Sequence, residues 1–412
     1  MGKNTKTLWD LIVIGAGASG MMAAITAARA GKKVLIIEKL EKAGKKLFAT
    51  GNGKCNFTNN RMQADCFGGD KDFVESVLSA FGVQECLEFF HSIGIYPKEK
   101  NGYYYPNSEQ AASVVTALLQ ELARLDVKVS YETTVSEILP KDDGVAVVTS
   151  KGQFEAKKLV IATGLLAAPK LGSDGSLFAI IKGLGHRFAP ILPALCGYYC
   201  KGIDFKKVSG VRAHGTVTAF VDDERMAEDT GEIQFTDYGL SGIPVFQISR
   251  YLSKGLYDKK QVRIVINLLP DFDKEQLLQE LQFRKKIRGE ESVDTFLNGL
   301  VHQKLSDMLL HKLQLDARQL IVSLTDKDLE RLAEGLLSLS VKVTNYRDFE
   351  FAQVCTGGIP VSNIDVATLE SKFVKHVYFA GEILDVDGIC GGYNLHFAWA
   401  TGYMAGKSVV TD

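Results

Sequence analysis

The chain has 412 residues, 46% hydrophobic and 24% charged, which is ordinary for a globular protein of two or three domains. Its 48 Lys and Arg nearly balance 49 Asp and Glu, so no global field argues for nucleic acid or an anionic membrane as partner. MGKNTKTLWD at the start lacks an apolar leader core, no apolar run is long enough to span a bilayer, and seven cysteines are scattered singly, so the expected location is cytoplasmic.

Residues 11–38 read as strand, glycine turn, helix and second strand, the form of a dinucleotide site. Leu11–Ile14 is a short apolar run of the buried-strand kind, and Gly15-Ala-Gly17-Ala18-Ser19-Gly20 follows it at once. In that motif the first glycine permits the turn, the second lets backbone approach a pyrophosphate, and the third allows close helix–strand packing. Val34–Ile37 forms the second strand and ends in Glu38, 18 residues past Gly20, where an acid takes a ribose 2′-hydroxyl. A 2′-phosphate would be repelled there, which disfavours NADP at this turn and leaves FAD and NAD open.

The glycine-dense stretch 39–60 is too long for a simple connector, and its Gly51, Asn52, Gly53, Asn56, Thr58 and Asn59 suit a heterocycle edge or phosphate oxygens. Residues 72–95 and 108–125 have helical period, the second with a stripe of Ala111, Val114, Val115, Leu118, Leu119 and Leu122. Between them Tyr103, Tyr104 and Tyr105 sit in a turn or short hairpin. Residues 127–138, 144–149 and 152–155 alternate like short strands, with a hairpin turn at 142–144. A second buried strand, 158–164, ends in Thr163-Gly164, and a long loop with a helix at 176–183 follows in place of a GxGxxG. The first domain is therefore interrupted, not finished.

From Leu192 to about 268 the pattern is short strands and turns, a small β-domain. Within it Asp237, Tyr238 and Ser241 form a polar cluster that either faces a pocket or, for Ser241, caps the helix that follows. Residues 273–338 are charged and helical in period; His302 and His311, nine apart, and Cys196 and Cys200, four apart, do not make a metal set, and none is expected. Residues 376–382 repeat the strand-then-small-turn form, and a helix follows with a bare N-terminus at Gly391-Gly392-Tyr393-Asn394. Adjacent N–H groups there stabilise negative charge of the kind a reduced flavin carries, which selects FAD over NAD. Ala398, Gly402, Ala405 and Gly406 are expected to let that helix approach the sheet closely.

With GAGASG (15–20), GKKLFATGNGKCNFTN (44–59), LGSDGSLFAIIKGLGH (171–186), GEIQFTDYGLSGIPV (231–245), TGGIP (356–360) and YFAGEILDVDGICGGYNLHFAWATG (378–402), the chain resembles the two-dinucleotide-binding flavoproteins. More narrowly it resembles the flavoprotein family that includes aminoacetone oxidase and the bile-acid dehydro-Δ4,6-reductases. The resemblance implies an α/β fold: a Rossmann-like FAD-binding domain (1–191 and 346–412), an inserted β-barrel-like domain (192–272 and 339–345) and a helical subdomain (273–338). It implies FAD held by Gly15, Gly17, Ala18, Ser19, Gly20, Glu38, Lys39, Lys45, Lys46, Gly51, Asn52, Gly53, Cys55, Asn56, Thr163 and Gly164. Gly381, Glu382, Asp387, Gly388, Gly391, Gly392, Tyr393 and Asn394 complete that set. Asp237 stands where family members often carry histidine, and ATGL (162–165) replaces ATGG, both on the substrate side.

The expected activity is NAD(P)H-driven reduction of an activated C=C in an enone- or steroid-like small molecule by hydride from flavin N5, with Tyr393, Asn394, Asp237 and Tyr238 as candidate catalytic groups. Two alternatives stand beside it, an O2-dependent oxidase of small primary amines and a flavin-bearing scaffold without catalysis. Oligomeric state is not legible in the sequence.

Overall fold

Apolar runs without polar interruption bury both faces of a strand, and the first two strands are of that kind. In the computed structural model, which describes residues 8–410, β1 (Leu8–Ile14) and β2 (Val34–Ile37) pair in parallel, Leu11 opposite Val34 through Ile14 opposite Ile37. Those eight residues are all buried. The leader-free start read from the sequence rests largely on residues 1–7, outside the described residues. Between the strands runs α1 (Ala18–Arg29).

The helix expected over 72–95 is two, α2 (Lys71–Ala80) and α3 (Val83–Ser92), because Phe81 is extended and Gly82 opens a new helix. Asp70 caps the first of them, accepting from Phe73 N at 2.9 Å, and the break itself is capped locally by Glu85, which accepts from Gly82 N at 3.0 Å. In α4 (Ala111–Arg124) the expected stripe is buried, with Leu119 half-buried at its edge.

The strand expected over 127–138 divides into β3 (Lys128–Ser130) and β4 (Val135–Lys141), while β5 (Gly144–Thr149) is as expected. The two strands expected at 152–155 and 158–164 are instead one, β6 (Gly152–Ile161). Its first half pairs antiparallel with β5, Gly152 opposite Thr149 through Ala156 opposite Val145, and its second half runs parallel to β1, Lys158 opposite Leu11 through Ile161 opposite Ile14. One strand thus ends a meander and enters the nucleotide-type sheet.

Residues 192–353 form a separate compact unit. Its strands are β7 (Tyr198–Lys201), β8 (Arg212–Val221), β9 (Glu224–Phe235), β10 (Gly239–Ser241), β11 (Val262–Asn267) and β12 (Leu339–Tyr346). They form a closed antiparallel barrel in the order β7-β10-β9-β8-β11-β12, closed by β12 on β7. Burial alternates along β11, as a barrel wall requires. Ser241 does not cap the helix after it: it lies in β10 opposite Gln234, and Gly242 is the N-cap of α5 (Ile243–Gln247). After α6 (Ser249–Tyr257), the charged segment folds as α7 (Lys274–Ile287), α8 (Gln303–Leu313) and α9 (Asp326–Leu337). Residues 346–353, assigned to the FAD-binding domain from the sequence, cluster with the barrel unit, since Tyr346 pairs with Tyr198 and Arg347 N donates to Gly197 O at 3.0 Å.

The chain rejoins the first unit at Val354. Here β13 (Val377–Phe379) lies parallel on the second half of β6, completing a sheet of order β3-β2-β1-β6-β5-β4 with β13 attached to β6. Last comes α10 (Tyr393–Ser408). Its small residues serve a different neighbour from the one expected: a Cβ on Gly402 would lie 2.4 Å from Ser19 O, and one on Gly406 2.5 Å from Ala23 O, so α10 crosses α1, not the sheet, backbone to backbone. The architecture is the α/β fold expected, a Rossmann-type sheet with an inserted barrel and helices.

Candidate cofactor site

The site grows from the end of β1. Gly15 N donates to Ile37 O at 2.9 Å, closing the turn onto β2. A Cβ at Gly20 would sit 1.9 Å from Gly15 O, so only glycine allows α1 to start this close to the strand, whereas a Cβ at Gly17 would meet nothing within 4 Å. The α1 N-terminus, with Ala18 in its first turn, has no side-chain cap. Open space over Gly17 and uncapped N–H groups are what a pyrophosphate needs. Glu38, buried at the end of β2, accepts from Ala16 N at 2.8 Å and Leu40 N at 2.9 Å. The carboxylate therefore braces the turn from within, a role the motif spacing did not reveal.

The glycine-dense loop folds back onto this turn through Gly44 N to Ala16 O, 2.9 Å. Lys46 Nζ lies 2.7 Å from Glu382 Oε2, while Glu382 Oε1 accepts from Cys355 N at 3.0 Å. A Cβ at Gly164 would face Ser173 Oγ and Glu382 Oε2, so Gly164, next to Thr163, reaches the same corner. Lys39 pairs with Asp174 at 2.5 Å and Lys45 with Glu41 at 2.7 Å. Gly51, Asn52 and Gly53 are exposed, Gly51 and Asn52 both in left-handed conformation.

At the start of α10 the two chain ends meet. Asn56, with its amide nitrogen donating to Thr58 O and Tyr104 O, accepts from Gly392 N at 3.3 Å, and Asn59 Nδ2 donates to Gly391 O at 3.0 Å. Gly392 has φ +92°, and a Cβ there would lie 2.8 Å from both the Asn56 side-chain amide and Thr58 O, so no side chain fits. Asn394 bonds Gly388 twice, its Oδ1 accepting from Gly388 N and its Nδ2 donating to Gly388 O, each at 2.8 Å. That bidentate hold occupies the amide proposed from the sequence as catalytic; it sets the loop carrying Asp387 and Gly388, and Gly68 N donates to Asp387 O at 2.7 Å. Ser19 Oγ donates to Ala380 O at 3.3 Å, and Thr401 Oγ1 accepts from Gly381 N at 2.9 Å, which fixes the turn after β13 against α1 and α10.

Sequence reasoning missed His396. Fully buried, it lies 3.0 Å from Phe81 O through Nε2 and 2.8 Å from Thr58 Oγ1 through Nδ1. A carbonyl only accepts, so Nε2 carries the proton and Nδ1 accepts from the threonine hydroxyl. A lone histidine 338 positions from its partner gave no signal. Burial holds its pKa at about 4, outweighing the Phe81 carbonyl and Glu85. Unfolded histidine titrates near 6.5, so this group's contribution is complete above about pH 6.5 and is lost as pH falls toward 4, about 3 kcal/mol in all. Thermal unfolding is expected to drop across that window, and His396→Gln to flatten the slope there.

Of the other candidate groups, Tyr393 is buried, edge-on to Phe67 at 5.8 Å, and burial, then the Cys66 thiol beside it, push its phenol upward, so it keeps its proton at neutral pH. Asp237, exposed, and Tyr238, half-buried, belong to the barrel unit. Burial pushes the Cys55 thiol to about 12, as it does those of Cys196, Cys200 and Cys355. Six of the seven cysteines are buried and only Cys390 is half-exposed. A disulfide reagent at pH 8 is therefore expected to titrate about one thiol rapidly in the native protein and all seven after denaturation. No group of three or more His, Cys, Asp or Glu side chains able to hold a metal occurs among the described residues, and none of their helices is long and apolar enough to cross a membrane.

These residues fit an FAD. Gly17 and the α1 N-terminus would take the pyrophosphate, Glu38 the adenosine ribose, and the uncapped α10 N-terminus the pyrimidine edge. Residues 9–408 match the family described as HI0933-like protein Rossmann domain. The chain is 40% identical over 399 residues to the 3-dehydro-bile acid delta(4,6)-reductase of Clostridium scindens, covering 96% of this chain and 98% of that one. It is 29% identical to the ribosomal RNA dihydrouridine synthase of Escherichia coli, covering 98% of each. Among solved structures, 3-ketosteroid delta1-dehydrogenase from Sterolibacterium denitrificans shares the fold, with TM-score 0.50 and 11% identity over 98% of this chain and 99% of that one. The protein is an FAD-binding oxidoreductase and belongs to the HI0933-like family.

Proposed function

We propose that the protein reduces a C=C bond conjugated to a carbonyl in a steroid-like small molecule, with NAD(P)H as electron donor. The observation that carries this reading is end-to-end identity of 40% to a reductase of 3-dehydro-bile acids, with no gap in coverage large enough to remove either chain end or the barrel. Bound flavin supplies the hydride. The chain's own residues would hold it at Gly17, Glu38, Asn56 and the α10 start, and leave Tyr393 protonated as a candidate proton donor. Positive potential at the α10 N-terminus favours the reduced, anionic cofactor.

An RNA substrate, suggested by the dihydrouridine synthase relative, gains no support from the charge balance of 48 basic against 49 acidic residues, since phosphate-backbone binding rests on an excess of Lys and Arg. The test is anaerobic: FAD-loaded protein is titrated with NADH, then NADPH, and a 3-oxo-4-ene steroid is added. Bleaching of the flavin band by a nicotinamide and its return on adding the steroid are expected. Bleaching by aminoacetone alone, with peroxide formed on admitting air, would replace this reading with the amine oxidase.

A further inference from the structure

The barrel unit carries an arginine whose surroundings have no structural explanation. Arg347 follows β12, its backbone N–H fixed on Gly197 O. Its guanidinium carbon lies 3.7 Å from the Phe351 ring centre, 4.3 Å from that of Tyr238 and 5.8 Å from that of Tyr199. The Tyr199 and Tyr238 rings lie 5.3 Å apart, tilted by 54°. Despite five N–H donors, the guanidinium makes no hydrogen bond or ion pair among the described residues, and its Nε is buried without a partner. Tyr199 and Phe351 nevertheless stay 38% and 53% exposed, so the rings pack on the guanidinium while offering apolar surface beside it.

A guanidinium restrained by three surrounding aromatic rings, with its donors unspent, is preorganised for a bidentate acceptor. Exposed rings around it select an acid whose remaining body is apolar. We propose that Arg347, with Tyr199, Tyr238 and Phe351, is a carboxylate-docking site for an amphiphilic acid. That this acid is also the substrate reduced at the flavin rests on the function proposed above; the docking site does not. The site also accounts for Tyr238, which serves here as a ring beneath the guanidinium.

The experiment is calorimetric titration of FAD-loaded wild type, Arg347→Met and Arg347→Lys with two matched pairs. One is a 3-oxo-4-ene steroid carrying a side-chain carboxylate against its methyl ester, the other octanoate against octanamide. NADPH is titrated in parallel. Wild type is expected to prefer each acid by about ten- to hundred-fold, the worth of a charge-assisted bidentate contact. Arg347→Met should abolish the preference, and Arg347→Lys, which keeps the charge but loses the fork, should retain only a few-fold. Flavin content and melting temperature equal to wild type show that the variants are folded. If the steroid pair fails to bind while octanoate is still preferred over octanamide, the docking site stands and the steroid reading falls. Equal binding of acids and neutral partners, or a preference that survives Arg347→Met, overturns the site. So does weakened NADPH binding with unchanged acids, which would assign the arginine to a nucleotide phosphate.

Discussion

Gly20→Ala is expected to give a protein without flavin that melts about 10 °C lower in a thermal unfolding scan. Its new methyl would lie 1.9 Å from Gly15 O, where unbonded atoms of this size settle at about 3.5–4 Å. Both partners are backbone, on a buried strand end and the first turn of a helix, so neither rotates away. Overpacking without relief costs about 3 kcal/mol or more, and a domain of this size loses about 2–4 °C per kcal/mol. Gly17→Ala is the control that separates fold from cofactor. Its methyl meets no protein atom within 4 Å, so melting should shift by no more than about 2 °C. FAD affinity should nevertheless fall at least ~10-fold, because the methyl occupies the approach to the backbone that a pyrophosphate needs. Unchanged FAD binding by Gly17→Ala would mean the phosphates do not pass over that residue.

The second large effect is expected at Glu38. Its truncation to alanine strips the acceptor from the buried Ala16 N–H and from Leu40 N–H, and a buried donor left unpaired costs about 1–3 kcal/mol. Glu38→Ala should therefore lower stability by about 3 kcal/mol and, through the missing ribose contact, weaken FAD by about ten- to hundred-fold in a fluorescence titration. Glu38→Gln keeps an acceptor oxygen and should fall between. An alanine variant that is destabilised yet binds FAD as wild type does would reduce the carboxylate to a brace for the turn.

The two residues differ in how visible they are. Gly20 is legible because strand, turn and helix are contiguous, and a local motif carries its own geometry. Glu38 is legible as an acid at the right spacing, but its hold on Ala16 N is not, because that bond joins the turns that follow two neighbouring strands. Likewise Gly402 and Gly406 announce a close approach without naming the partner: small residues say that something comes near, and only the packed chain shows that it is α1 and not the sheet. The broken helix at Phe81 was readable in part, since Gly82 and Glu85 have capping-box spacing, but a continuous apolar stripe on either side masked it.

By itself the sequence determined the class of the protein: an α/β nucleotide fold built from both ends of the chain, with a β-rich insertion and FAD favoured over NAD by the glycine-lined C-terminal helix start. These follow from contiguous patterns, and contiguous patterns are governed by local backbone and side-chain physics. Tertiary structure alone decided that 152–161 is one strand serving two sheets' worth of partners, that Thr58 and His396 lock the base of α10 in a single tautomer, and that Asn394 grips Gly388. It alone gathered Arg347, Phe351, Tyr238 and Tyr199, which are spread over some 150 positions. Such contacts depend on where the chain returns after long excursions, and no local propensity encodes that return.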